Sequence, residues 1–61
     1  MTKPEMNRRL ATLTETEKRD IHAMILTGFG ANGIVQNRRY TLKQVNAMFE
    51  WVRRYGRIIP N

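Results

Sequence analysis

Residues 40–55 constrain the fold more than any other part of this chain. Thr41 and Gln44 have the spacing of a capping box at a helix start, and Tyr40 and Val45 have the spacing of a hydrophobic staple across it. Apolar residues then recur at intervals of three and four, which places them on one face of a helix: Val45, Met48, Phe49 and Val52. The pattern predicts one long, well-started amphipathic helix.

The remaining positions of this helix are mostly polar or basic. The face opposite the apolar stripe carries Lys43, Gln44, Asn46, Ala47, Arg53 and Arg54. Amide and amino groups hydrogen-bond to base edges, and guanidinium groups bind phosphates. We therefore predict that residues 41–54 form a recognition helix for the major groove of double-stranded DNA.

Length and composition exclude several classes of protein. With 61 residues and no cysteine, the chain has room for one small domain and lacks disulfides and thiolate metal sites. A single histidine, His22, does not make a zinc site, so we expect no metal and no cofactor. No apolar run approaches the ~20 residues of a membrane-spanning helix. The first residues lack the apolar core of a signal peptide, so a cytoplasmic protein is expected.

The positive charge is concentrated in the half of the chain that contains the predicted recognition helix. The net charge is +6, from 11 Lys and Arg against 5 Asp and Glu. Residues 1–13 contribute +2 (3 minus 1), residues 14–30 contribute −1 (2 minus 3), and residues 31–61 contribute +5 (6 minus 1). A localised basic region is typical of a protein with a polyanionic partner.

Residues 1–13 leave alternatives open. The segment is basic, and Pro4 is compatible with the first position of a short helix. Leu10 and Leu13 could pack onto the domain. A flexible basic arm that reaches into the minor groove and a frayed tail are the other interpretations.

The middle of the chain predicts two further helices. Thr14 and Glu17 form a second capping box, and Gly28 ends the helix that follows. Residues 28–33 match G-x-G-x-x-G, but no strand precedes them, so a glycine-rich turn with Phe29 in the core is the better interpretation. A short helix over about residues 31–38 follows. We predict an all-α, three-helix bundle over residues 14–55, preceded by a short helix or arm and followed by a tail at 56–61.

The segment from Ile34 to Met48 resembles the helix–turn–helix modules of DNA-binding proteins. Tyr40 corresponds to the apolar position of the turn and Thr41 to the cap of the recognition helix. Val45 corresponds to an inward position of that helix, as does Met48. This resemblance implies a three-helix DNA-binding domain in which the exposed face of the last helix contacts bases.

The resemblance covers residues 13–54, which are similar to three-helix domains of resolvases, transposases and small phage regulators. Two positions depart from the pattern, because Arg39 replaces the usual turn glycine and Arg38 replaces an inward leucine. Residues 51–60 resemble the end of the helix in phage excisionases, without the wing hairpin that follows there. An accessory role in recombination is therefore also an open interpretation.

These features assign specific roles. The predicted base contacts are Leu42, Lys43, Gln44, Asn46 and Ala47. The predicted phosphate contacts are Arg38, Arg39, Thr41, Arg53, Arg54 and Arg57. Trp51 either completes the core or is an interface anchor. The predicted homodimer interface is Trp51, Tyr55, Ile58 and Ile59.

Three functional interpretations follow. The first is a small phage or mobile-element regulator that binds a specific DNA site. The second is a small inhibitor or adaptor that binds a host protein, such as RNA polymerase or a nuclease, with Met48 and Trp51 as anchors. The third is the excisionase-like accessory factor. An enzyme is not expected, because the five carboxylates and His22 form no pattern of nucleophile and base.

Overall fold

The computed structural model describes residues 1–37 and 39–56, and within them the chain is an all-α bundle. This confirms the predicted fold class, although the bundle has four helices over these residues. They are α1 (Lys3–Leu10), α2 (Glu15–Thr27), α3 (Ala31–Asn37) and α4 (Leu42–Tyr55).

Both predicted capping boxes are present. At the start of α2, the Glu17 amide donates to Thr14 Oγ1 over 3.1 Å and the Thr14 amide donates to Glu17 Oε1 over 2.7 Å. At the start of α4, the Gln44 amide donates to Thr41 Oγ1 over 3.1 Å and the Thr41 amide donates to Gln44 Oε1 over 2.9 Å. Each box satisfies two amides that would otherwise lack partners at a helix start.

Glycine ends both long helices in the left-handed conformation. Gly28 follows α2 with φ 107°, and Gly56 follows α4 with φ 73°. Any residue with a β-carbon would pay roughly 1–2 kcal/mol in this conformation. Arg39, which replaces the usual turn glycine, does not adopt it, since no described non-glycine residue has a positive φ. The turn before α4 therefore differs in shape from a glycine-opened turn.

The N-terminal segment is a packed helix, which is one of the three interpretations that the sequence left open, rather than a flexible arm or a frayed tail. Thr2 caps α1, its Oγ1 accepting from the Glu5 amide over 3.3 Å. Met6 is fully buried, and Leu10 and Leu13 are almost fully buried. These three apolar side chains recur at intervals of four and three, so they hold one face of α1 and the following turn in the core.

Helix α4 is the centre of the bundle, since it packs against each of the other three helices, which contact one another less. The core that results is apolar: Met6, Leu10, Leu13, Ile21, Met24, Ile34, Val45, Ala47 and Met48. Most of the exposed side chains of α4 lie on one side of the helix, which includes Leu42, Lys43 and Asn46.

Phe29 does not occupy the core, contrary to expectation. Its side chain is 41% exposed, and it lies beside Gly33 of α3, where a β-carbon would come within 3.4 Å of Phe29 Cδ1. The glycine-rich turn joins α2 to α3 as predicted. At the start of α3, the Ile34 amide donates a hydrogen bond to the Gly30 carbonyl. Phe29 is therefore an exposed apolar residue in the turn between α2 and α3.

Candidate nucleic-acid interface

The first turns of α4 present three of the predicted base contacts to solvent. Leu42 is 46% exposed, and Lys43 and Asn46 are also exposed. Asn46 follows Leu42 by four positions and Lys43 by three, so it neighbours both on the helix surface and the three side chains share that surface. Within residues 1–37 and 39–56, neither Lys43 nor Asn46 uses its side chain in a hydrogen bond or ion pair. Both are available to a ligand.

Ala47 is not part of this surface. Its side chain is fully buried in the core, so the prediction that it touches a thymine methyl is wrong. The cause is α1, which lies along this side of α4. Just after α1, the Thr12 hydroxyl accepts a hydrogen bond from Gln44 of α4. Just before α1, the Met1 carbonyl accepts one from Arg54 of α4. Ala47 lies between these attachment points along α4.

Gln44 is already occupied at both ends of its side chain. Its Oε1 accepts from the Thr41 amide in the capping box, and its Nε2 donates to Thr12 Oγ1 over 2.8 Å. The Thr12 hydroxyl in turn donates to the Arg9 carbonyl over 2.7 Å. These hydrogen bonds fix the Gln44 side chain, so a base contact would have to compete with them or use the remaining hydrogen and lone pair of the amide. The residue therefore stabilises the domain, and its predicted role as a base reader is not the one this geometry favours.

Two of the predicted phosphate contacts share one carboxylate. Arg53 and Arg54 both donate to Glu50, the latter from Nε to Oε2 over 2.7 Å. Hydrogen bonds from Arg53 first and Arg54 second lower the pKa of Glu50 from its ordinary 4.5. Arg54 also donates from Nη2 to the Met1 carbonyl over 2.6 Å. Together, Glu50, Arg53 and Arg54 carry a net charge of +1. The positive charge that this group presents to a phosphate is therefore smaller than the +2 of the two arginines alone.

The start of α4 adjoins an open cleft. The cleft has a volume of about 270 Å³ and is lined by Arg9, Thr12, Thr41, Lys43 and Gln44. The cleft has two cationic side chains. Arg9 donates to Glu5 Oε1 over 2.6 Å, whereas Lys43 has no ion pair among the described residues. The sequence does not predict that Arg9 lines this cleft, because the position of Arg9 depends on how α1 packs.

The turn before α4 supplies two predicted phosphate contacts. Arg39 and Thr41 are both exposed. Tyr40 between them is half-buried, and its hydroxyl donates to Asp20 Oδ2 over 2.9 Å, which ties the turn to α2. Arg38 and Arg57, the other two predicted phosphate contacts, lie outside the described residues.

The predicted protein-binding anchors at the far end of α4 are mostly covered. Met48 is fully buried and Trp51 is half-buried against the core, so the prediction of Met48 as an exposed anchor is wrong. The Trp51 and Tyr55 rings lie 4.5 Å apart at 48°, and Tyr55 is 42% exposed. Trp51 thus completes the core, which was one of the two interpretations. Ile58 and Ile59 lie outside the described residues.

Comparisons of the chain with protein-family models, with curated proteins and with solved structures found no match. The resemblance to helix–turn–helix domains therefore rests on the residues alone. Across residues 1–37 and 39–56, none of the helices has the length and apolar character needed to cross a membrane.

Proposed function

We propose that this chain is a sequence-specific double-stranded DNA-binding protein, a small regulator of the phage or mobile-element type. The proposal rests on one observation above all. The first turns of α4 present Leu42, Lys43 and Asn46 on a single exposed surface, with the exposed Arg39 in the turn that precedes the helix. A helix that inserts its N-terminal residues into the major groove needs this arrangement.

Each of the three side chains has a matching partner on the DNA. The Asn46 amide can pair with N6 and N7 of adenine, and the Lys43 ammonium can donate to O6 and N7 of guanine. Leu42 can contact the methyl group of thymine. Residues 42–46 span roughly 6 Å of helix axis at 1.5 Å per residue, which corresponds to about two base-pair steps of 3.4 Å. One copy therefore reads about three base pairs.

Phosphate binding is more limited than the arginine content suggests. Arg39 and the Thr41 hydroxyl flank the reading surface, and the positive end of the α4 dipole adds to them. Arg53 and Arg54 are both paired with Glu50, and this shared carboxylate offsets part of the positive charge that they could offer to phosphates. We therefore expect the salt dependence of binding to reflect fewer phosphates for Arg53 and Arg54 than their two positive charges suggest.

A salt titration of duplex binding tests this proposal. With mixed-sequence duplex, affinity should fall as salt rises, with a slope of roughly −0.9 in log–log units for each phosphate neutralised. Lys43→Ala should weaken binding, whereas Arg19→Ala, which removes an exposed charge from α2, should change it little. Absence of measurable binding at low salt would overturn the proposal and favour a protein partner.

A further inference from the structure

Helix α1 lies beside the reading surface formed by Leu42, Lys43 and Asn46. The segments that flank α1 are hydrogen-bonded to the two ends of α4, so the two helices run antiparallel, side by side. At the start of α4, the residue that bonds to the α1 side is Gln44, one position after Lys43. One position corresponds to about 100° around a helix axis. Helix α1 therefore flanks the reading surface and does not lie behind it.

The dimensions of DNA determine what a flanking helix meets. Packed helices have axes roughly 8–10 Å apart. The major groove is about 12 Å wide, so its bordering phosphates lie about 6 Å to either side of a helix at its centre. A second helix at the packing distance does not fit into the same groove and lies over the sugar–phosphate backbone. With α4 in the groove, α1 therefore meets phosphates and not bases.

Arg9 is the side chain of α1 that faces this border. It lines the open cleft together with Lys43 of α4, and its side chain is 28% exposed. Its Nη2 donates to Glu5 Oε1 over 2.6 Å, which is the single hydrogen bond that the guanidinium makes among the described residues. A guanidinium has five N–H donors, so the other donors are available to an anion.

The other basic residues of α1 are placed differently. Arg8 is exposed, but it precedes Arg9 by one position, points about 100° away around the helix axis, and is not among the residues that line the cleft. Lys3 lies at the opposite end of α1, beside the end of α4. Arg9 is therefore the cation of α1 that adjoins the reading surface.

We propose that Arg9 binds a phosphate of the DNA backbone at the border of the groove that α4 enters, and that Glu5 restrains it by competing for the guanidinium. The inference rests on the proposed DNA binding. The guanidinium fork matches the geometry of phosphate oxygens, and a phosphate contact fixes the register of the protein on DNA without reading sequence. Arg9 thus acts from a packed helix beside the major groove, and not from a flexible arm in the minor groove.

Salt titrations with mixed-sequence duplex test the proposal. One phosphate contact corresponds to a slope of roughly 0.9 in log–log units, so Arg9→Gln should make the slope shallower by about this amount. Arg8→Gln is the matched control, because it removes the same charge one position earlier in α1, and its slope should stay close to that of wild type. Helical circular dichroism should be unchanged in both variants, since neither side chain is buried.

Two negative results have different meanings. Equal changes of slope in Arg9→Gln and Arg8→Gln would overturn the proposal and leave DNA binding by wild type standing. Failure of wild type to bind the duplex at low salt would overturn the DNA-binding proposal itself, and the role of Arg9 with it.

A double-mutant cycle tests the restraint by Glu5. Glu5→Gln should strengthen duplex binding, because it releases Arg9 from its ion pair. The gain should disappear when Glu5→Gln is combined with Arg9→Gln, since no guanidinium is then left to release. A gain of equal size with and without Arg9 would mean that Glu5 acts through net charge alone, which would contradict the restraint.

Discussion

The side-chain amide of Gln44 donates a hydrogen bond to the hydroxyl of Thr12, 32 positions earlier in the chain, over 2.8 Å. This contact attaches the connection between α1 and α2 to the first turn of the proposed recognition helix. The same Gln44 side chain completes the capping box of α4. One residue of the proposed recognition helix is therefore committed to the fold, while the side chains of Lys43 and Asn46 have no partner among the described residues.

Replacing Gln44 should affect stability and leave sequence preference intact. Gln44→Ala removes half of the capping box and the bond to Thr12, each typically worth ~1 kcal/mol, so a loss of about 1–2 kcal/mol is expected. Urea unfolding measures it. Asn46→Ala is the control, because its exposed side chain has no partner among the described residues, and its stability should change by less than about 0.5 kcal/mol. Equal stability of the two variants would contradict the assignment.

Met6 should be essential for stability, because α1 is part of the core. Met6→Ala creates a cavity at a fully buried position and should cost about 2–5 kcal/mol. In a domain of this size, such a loss leaves little folded protein. Thermal unfolding by circular dichroism measures the effect. Asn7→Ala, one residue further along α1 and exposed, should unfold near the wild-type temperature. A wild-type melting temperature for Met6→Ala would mean that α1 is a loose arm after all.

Removing the Glu50 charge should strengthen DNA binding. Glu50→Gln releases Arg53 and Arg54 from their shared carboxylate and makes their positive charge available to phosphates. The salt slope should become steeper by roughly 0.9 for each phosphate gained. Glu15→Gln changes the net charge by the same amount on α2 and serves as the control. If both variants gain affinity equally, only net charge matters and the ion pairs do not limit binding.

Glu50 should also make stability depend on pH. Hydrogen bonds from Arg53 and then Arg54 lower its pKa in the folded state, so the folded protein favours the charged carboxylate. This contribution is fully present above the ordinary pKa of 4.5 and is lost as the pH falls through the lowered folded value. The difference in unfolding free energy between wild type and Glu50→Gln should shrink over that acidic interval. A difference that grows on acidification would contradict the assignment.

The sequence predicted the features that depend on neighbours along the chain. The capping boxes at Thr14 and Thr41 join residues three positions apart, and the apolar stripe of α4 repeats within a single helix. Both patterns arise from interactions between residues three or four positions apart, so they can be recognised without knowing how the helices pack. The all-α fold class follows from the same patterns.

The features that the sequence left open or did not predict depend on tertiary packing. Helix α1 has eight residues, too few to be stable alone, so it forms because Met6 and Leu10 meet α4. Its docking then covers Ala47, whose small side chain suits either a surface or a core. The docking also places Thr12 next to Gln44. Phe29 stands alone in a glycine-rich turn, where no periodicity indicates which way an apolar residue faces.

Selection from random duplexes, run in parallel with wild type and Asn46→Ala, tests the central claim most directly. We predict that wild type enriches a short site that contains adenine and that Asn46→Ala retains binding but loses preference at one position, at a cost of about 1–3 kcal/mol for that base pair. Gln44→Ala should select the wild-type site. Failure of wild type to enrich any site, or an Asn46→Ala site identical to that of wild type, would contradict the claim that this face of α4 reads DNA.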